Sequence, residues 1–156
     1  MSERQSVLFV CLGNICRSPT AEAVFKKRAA AAGLDVYVES AGTGGWHVGE
    51  PPDPRAIRAG ESRGYSFAGQ TAQALSQKHF DDFDILLAMD NRNLSHMQGM
   101  VSEGLQDKIR LFLSFNPGAD VTEVPDPYYG GESGFGRVLD LIEGASDGLI
   151  DYLQQS

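Results

Sequence analysis

A short loop between an apolar strand and a helix constrains the fold of this chain more than any other feature. Residues 7–10 (VLFV) are continuously apolar, as in a strand that is covered on both faces of a parallel sheet. Residues 11–18 (CLGNICRS) follow, and a helical pattern begins at Pro19. Consecutive peptide N–H groups from Leu12 to Arg17 can curl inward there, and the helix dipole adds positive potential at the same point. The loop therefore predicts a binding site for a phosphate-sized anion.

Cys11 and Arg17 place a thiol and a guanidinium at opposite ends of this loop. The spacing predicts a thiol at the floor of the anion site and a guanidinium that forks onto two phosphate oxygens. Groups that bind phosphate also favour a thiolate, which is a nucleophile, and the Ser18 hydroxyl can donate to that thiolate. The alternative is a buried structural cysteine followed by a serine that caps the helix.

The rest of the loop is expected to bind phosphate oxygens. Gly13 and Asn14 suit a tight loop because both tolerate positive φ values, and the Asn14 side chain can brace the loop from within. Cys16 has two interpretations: an inert packing residue, or a partner that traps oxidised Cys11 as a disulfide. The predicted phosphate-binding residues are Leu12, Gly13, Asn14, Ile15, Cys16 and Ser18.

Composition limits the partners and the compartment. The length of 156 residues suits a single domain, residues 1–156. Two cysteines and no apolar stretch of membrane-spanning length predict a cytoplasmic protein without a signal peptide or membrane insertion. A formal charge of −8 disfavours nucleic-acid binding. His47, His79 and His96 show no ligand spacing, so we expect neither a metal nor another cofactor.

Strand patterns alternate with helical ones along the whole chain. Strands are predicted at residues 7–10, 36–39, 84–89 and 109–113, and residues 41–52 and 114–134 are predicted loops. Helices are expected after the caps Ser18, Asp53 and Asp90, with Gly33 ending the first, and from Phe135 to Leu153. This alternation predicts an α/β fold, a doubly wound four-stranded parallel sheet with helices on both faces and its site at the strand carboxyl ends.

Two separated motifs carry a resemblance to a known family. CLGNICRS directly after a strand, with Asp126-Pro127-Tyr128-Tyr129 much later, resembles the low-molecular-weight protein tyrosine phosphatases, and residues 39–42, 49–55 and 88–90 fall in the family's order. The resemblance implies the strand order and metal-independent hydrolysis of phosphotyrosine through a phosphocysteine. It also implies a general acid and base at Asp126, for which a plain turn aspartate is the alternative.

The resemblance extends to the walls and the support of the site. It implies that Trp46, Tyr128 and Tyr129 line the pocket for the phosphotyrosine ring. A histidine that supports the loop asparagine in many relatives is Gln70 here. We therefore expect Gln70 and Ser40 to support Asn14.

The implied partner is a tyrosine-phosphorylated protein, with a tyrosine kinase as one candidate, and free phosphate is the product. Arsenate reductase is a rival enzyme of the same fold, but it needs cysteines beyond Cys16. Protein-arginine phosphatase is closer, although such relatives resemble this sequence with Thr in place of Ile15. A phospho-ligand binding module without turnover is the alternative of another class, and the joint presence of Cys11, Arg17 and Asp126 argues against it.

Overall fold

A four-stranded parallel sheet forms the centre of the computed structural model, which describes residues 4–127 and 132–155. The strands are β1 (Gln5–Cys11), β2 (Val36–Gly42), β3 (Ile85–Ala88) and β4 (Ile109–Leu111), in the order β2-β1-β3-β4. All three neighbouring pairs are parallel, and Cys11 at the end of β1 pairs with Gly42 at the end of β2. The carboxyl ends of the strands therefore share one edge, with Cys11 on it.

Helices cover both faces of this sheet, as predicted for a doubly wound fold. They are α1 (Arg17–Ala31), α2 (Pro54–Glu61), α3 (Gln77–Asp82), α4 (Asn91–Met100) and α5 (Glu132–Gln154), with short 3₁₀ helices at Glu103–Lys108 and Phe112–Phe115. Within residues 4–127 and 132–155, no helix is long and apolar enough to cross a membrane.

The continuous apolar run of β1 is explained by two cores. Val7 and Phe9 belong to one core, which includes residues of α1 and α5, whereas Leu8 and Val10 belong to a second core with residues of α3 and α4. All four side chains are fully buried. Since burying one such side chain stabilises a fold by roughly 1.5–3 kcal/mol, β1 is anchored from both sides and fixes the start of the Cys11 loop.

Local capping chemistry is confirmed at three helix ends. Asp53 accepts a hydrogen bond from Arg55 N at 2.8 Å and caps α2, and Asp90 accepts from Asn93 N at 2.8 Å and caps α4. Gly33 has a φ of 75° just after α1. A left-handed glycine at this position lets the chain leave the helix without strain.

The elements differ from expectation in three places. Helix α1 begins at Arg17, with Cys16 at the cap position, so Ser18 lies within the first turn; its hydroxyl contacts Cys11 and Asn14 instead of capping the helix. Strand β4 ends at Leu111 rather than Leu113, because a 3₁₀ turn buries the next two side chains. Helix α3, of six residues, was not predicted.

Candidate active site

The Cys11 sulfur is held between the loop and the first turn of α1. Its Sγ lies 3.0 Å from Ser18 Oγ, and the Asn14 backbone N–H donates to it at 3.3 Å. Cys11 is buried. Two polar hydrogens can therefore reach the sulfur.

Of the two loop residues that tolerate a positive φ, Asn14 adopts one and Gly13 does not. Asn14 has a φ of 58° and is the one described non-glycine residue with a positive φ, whereas Gly13 is not among the positive-φ glycines. The reason for a glycine at position 13 is space, because an added Cβ would lie 3.1 Å from the His47 ring. Gly42 is similarly constrained, since a Cβ there would lie 2.8 Å from the Leu12 carbonyl oxygen.

The Asn14 amide sets the direction of a hydrogen-bond chain under the thiol. The Gln73 backbone N–H donates to Asn14 Oδ1 at 2.9 Å, which fixes the amide orientation because a backbone N–H can only donate. Asn14 Nδ2 then donates to Ser18 Oγ at 2.8 Å and to Ser40 Oγ at 2.9 Å. Ser18 accepts from Asn14, so its single hydroxyl proton is left to donate to Cys11 Sγ.

The chain continues to a buried carboxylate. Ser40 Oγ donates to Glu22 Oε1 at 2.8 Å, and Glu22 Oε2 also pairs with Lys26. The structure thus places Ser40 in contact with Asn14, as expected. Gln70 does not take the expected place: its Nε2 donates to the Pro19 carbonyl at 3.1 Å, because the Gln73 backbone already occupies Asn14 Oδ1.

Arg17 joins the phosphate loop to two other segments. Its Nη1 donates to Asp90 Oδ2 at 2.7 Å and to the Val124 carbonyl at 3.1 Å, and its Nη2 lies 3.7 Å from Asp126 Oδ2. The Arg17 side chain is only 4% exposed, whereas that of Asp126 is 40% exposed. A fixed guanidinium therefore lies beside a solvent-accessible carboxyl group.

Charges around the loop shift two pKa values. Burial on its own lowers the pKa of Arg17, but the Cys11 thiolate and the hydrogen bond to Asp90 outweigh it, so the net pKa is raised and Arg17 stays cationic. Burial, followed by the negative charges of Asp53 and Cys11, raises the pKa of the Cys16 thiol. Cys16 is consequently a thiol at neutral pH.

A cleft of about 240 Å³ opens above the sulfur. Most of the residues predicted to bind phosphate line this cleft, whereas Asn14 and Ser18 are not among its lining residues. The lining residues are Cys11, Leu12, Gly13, Ile15, Cys16, Arg17, Trp46, His47 and Asp126. Trp46 is 70% exposed, and its ring occupies the space that a Cβ on Gly44 would fill. Tyr128 and Tyr129 lie outside the described residues.

Comparison with known proteins identifies the class to which this site belongs. Residues 6–156 match the family described as low molecular weight phosphotyrosine protein phosphatase. The chain belongs to this family. The phosphatase is 45% identical over 155 residues to a low molecular weight protein-tyrosine-phosphatase of Streptomyces coelicolor, covering 96% of this chain and 93% of that protein. It is therefore a hydrolase that acts on phosphoproteins.

Solved structures agree in fold over nearly the whole chain. A crystal structure of a protein tyrosine phosphatase from Entamoeba histolytica with Hepes in the active site has a TM-score of 0.94 at 42% identity, covering 97% of each chain. The crystal structure of YfkJ from Bacillus subtilis has a TM-score of 0.93 at 40% identity, covering 99% of this chain and 97% of that one.

Sequence reasoning missed several residues of the phosphatase site. Asp90 was expected only to cap α4, but one of its oxygens caps the helix while the other holds Arg17. His47 lines the cleft and lies 3.2 Å from Glu50, and Glu22 ends the chain that begins at Cys11. Neither Asp90 nor Glu22 has a signal in the local sequence, because the residues that they contact lie 73 and 18 positions away.

Proposed function

We propose that the chain is a phosphotyrosine protein phosphatase that works without a metal through a phosphocysteine on Cys11. The observation that supports this most directly is the convergence of Cys11, Arg17 and Asp126 on one cleft, although Asp126 is far from the other two in the sequence. We also propose that residues 1–156 act as one phosphatase domain.

In the proposed first step, Cys11 attacks the phosphorus of bound phosphotyrosine. Peptide N–H groups of residues 12–17 and the guanidinium of Arg17 bind the phosphate oxygens. Because two hydrogen bonds hold Nη1, Nε and Nη2 are the nitrogens that face the phosphate. The S–P bond forms, the O–P bond breaks, and protonated Asp126 donates its proton to the tyrosine oxygen. Proton donation of this kind contributes about 10²–10⁴ in rate.

In the second step, water hydrolyses the phosphocysteine. Asp126, now a carboxylate, removes a proton from water as the oxygen attacks phosphorus, and the S–P bond breaks. Cys11 leaves as a thiolate that accepts a hydrogen bond from the Ser18 hydroxyl, and free phosphate departs. The hydrogen bonds of Asn14 support this role of Ser18. Because Ser18 Oγ accepts from the Asn14 amide, its hydroxyl proton can donate to the sulfur.

The cleft favours an aromatic leaving group. Ile15 and the exposed ring of Trp46 line it and offer apolar surface to a phenyl ring. A protein-arginine phosphatase remains the alternative within the fold, and comparing phosphotyrosine with phosphoarginine as substrates decides between them. The proposed substrate is a tyrosine-phosphorylated protein in the cytoplasm, with a tyrosine kinase as one candidate.

The proposed function is tested with p-nitrophenyl phosphate in the presence of a chelator. Wild-type protein should turn it over, and Cys11→Ser should lose activity to below about 1% while still binding vanadate, because an unactivated hydroxyl cannot replace a thiolate. Activity that needs added metal, or that persists in Cys11→Ser, would refute the mechanism.

A further inference from the structure

A second cleft, of about 350 Å³, lies between α2 and the first turns of α5. Arg55, Arg58 and Arg63 line it around a floor that includes Phe135 and Leu139. The chain has only 13 Lys and Arg against 21 Asp and Glu, and the described lining of this cleft contains no acidic side chain. Three of the basic side chains of an acidic protein thus line one cleft.

Two of the three arginines have their charge offset nearby. Arg55 pairs with Asp53 at 2.9 Å and stacks over the Phe135 ring at 5.2 Å. Arg63 pairs with Asp140 at 2.8 Å and Glu143 at 2.9 Å. These pairs hold the walls of the cleft in place.

Arg58 is different, because its charge is not offset. It is exposed on α2, and its side chain forms no hydrogen bond or ion pair with any described residue. The cleft therefore presents one uncompensated guanidinium above an apolar floor. A single carboxylate matches that charge, whereas a phosphate dianion would call for more than one free cation.

The cleft adjoins the catalytic loop. Phe135, which forms part of its floor, packs in one cluster with Cys16 and Ala56, and Ile15 packs against the same cluster. The Asp53 backbone N–H also donates to the Ile15 carbonyl at 2.7 Å. One layer of side chains separates the two sites.

We propose that this cleft docks an acidic segment of the tyrosine-phosphorylated protein, with a carboxylate of that segment paired to Arg58 while the phosphotyrosine occupies the Cys11 loop. The proposal rests on the proposed phosphatase function. An extended peptide advances about 3.3 Å per residue, so carboxylates about three to five residues from the phosphotyrosine can span one layer of side chains. Arg58 is then a specificity-determining residue.

Matched phosphotyrosine peptides test this proposal. Each carries either three glutamates or three glutamines, placed three to five residues before or after the phosphotyrosine, and kcat/KM is measured for each. Wild-type protein should prefer the glutamate peptide in at least one placement by about two- to fivefold, the range of an exposed ion pair, and 0.5 M salt should reduce the preference. Arg58→Glu should abolish or reverse it, and Arg58→Lys should largely retain it.

Arg110→Glu is the matched control, since Arg110 lies on the edge strand β4 and lines a different cleft, together with Gln5 and Tyr152. Both substitutions change the net charge equally, so only Arg58→Glu should lose the preference. An equal loss in both variants, a preference that survives Arg58→Glu, or no preference in wild-type protein would overturn the docking proposal. Absence of p-nitrophenyl phosphate hydrolysis by wild-type protein would instead refute the phosphatase function itself.

Discussion

Substituting Asn14 tests the support of the site most directly, because this residue combines a positive φ with three side-chain hydrogen bonds. Asn14→Gly removes the amide but accepts a φ of 58°. Asn14→Ala removes the same amide but keeps a Cβ at this left-handed φ, which costs about 1–2 kcal/mol relative to glycine. Comparing the two variants separates the backbone contribution from that of the amide.

The magnitudes follow from the bonds that are lost. Asn14 donates to Ser18 and Ser40 and accepts from Gln73 N, and each such bond contributes about 0.5–1.5 kcal/mol. Asn14→Gly should therefore lower the free energy of unfolding by about 2–4 kcal/mol, and Asn14→Ala by about 1 kcal/mol more. Both should lower kcat by about 10–100-fold, because nothing then directs the Ser18 proton to Cys11; a bond to a charged group is worth about 1.5–3 kcal/mol.

Three measurements check these values. Denaturant unfolding gives the stability, p-nitrophenyl phosphate gives kcat, and the rate of alkylation by iodoacetate at fixed pH reports the thiolate reactivity of Cys11. If both variants lose stability but keep wild-type kcat and alkylation rates, the Asn14 chain does not orient the Ser18 proton. If the two variants are equally stable, the argument from the positive φ is wrong.

Three other residues give sharp expectations. Asp126→Ala should lose about 10²–10⁴ in the pre-steady-state burst rate with phenyl phosphate and much less with a fluorinated aryl phosphate; a loss independent of the leaving group would make Asp126 a structural loop residue. Asp90→Asn should keep α4 capped but lower kcat/KM by about tenfold or more, because Arg17 loses its fixed orientation; unchanged kcat/KM would show that the Asp90 ion pair does not position Arg17. After mild peroxide, Cys16→Ser should regain less activity with reductant than wild-type protein if Cys16 traps oxidised Cys11; equal recovery would leave Cys16 as a packing residue.

The redox expectation depends on a change of charge at Cys11. Burial and the negative charge of Cys11 are among the causes that raise the pKa of Cys16. Oxidation of the Cys11 thiolate to a neutral sulfenic acid removes the negative charge of Cys11. The loss of this charge favours ionisation of Cys16, which must then act as a nucleophile. The same reasoning predicts little reactivity of Cys16 while Cys11 is reduced.

Features of the fold that depend on local chemistry could be predicted from the sequence. The apolar run of β1 is uniform because both of its faces are buried, and Asp53 and Asp90 cap helices through bonds to residues only two or three positions away. Helix α3 escaped prediction because it is short and its burial depends on Phe80. Ser18 does not cap α1, because its hydroxyl contacts Cys11 instead, and local sequence does not reveal such a tertiary contact.

The supporting residues of the site could not be found in this way, because their partners are distant in the chain. Asp90 reaches Arg17 across 73 residues, and Gln73 reaches Asn14 across 59. No local spacing encodes such pairs, so the resemblance points to Gln70, and nothing in the sequence indicates the Gln73 backbone. A hydrogen bond from a backbone N–H also does not depend on the residue type, so the sequence gives no indication of it.

The side chain of Arg17 links the proposed phosphate-binding loop to the segment that carries the proposed general acid. Its Nη1 bonds both Asp90, at the start of α4, and the Val124 carbonyl, two residues before Asp126. The Val124 N–H in turn donates to the Met89 carbonyl, just beyond β3, at 2.8 Å. The segment that carries the proposed acid is therefore fixed to the same guanidinium that is proposed to bind phosphate. A change that displaces Arg17 should accordingly slow proton donation as well as weaken phosphate binding, so the effects of Asp90→Asn and Asp126→Ala on the burst rate should not be additive.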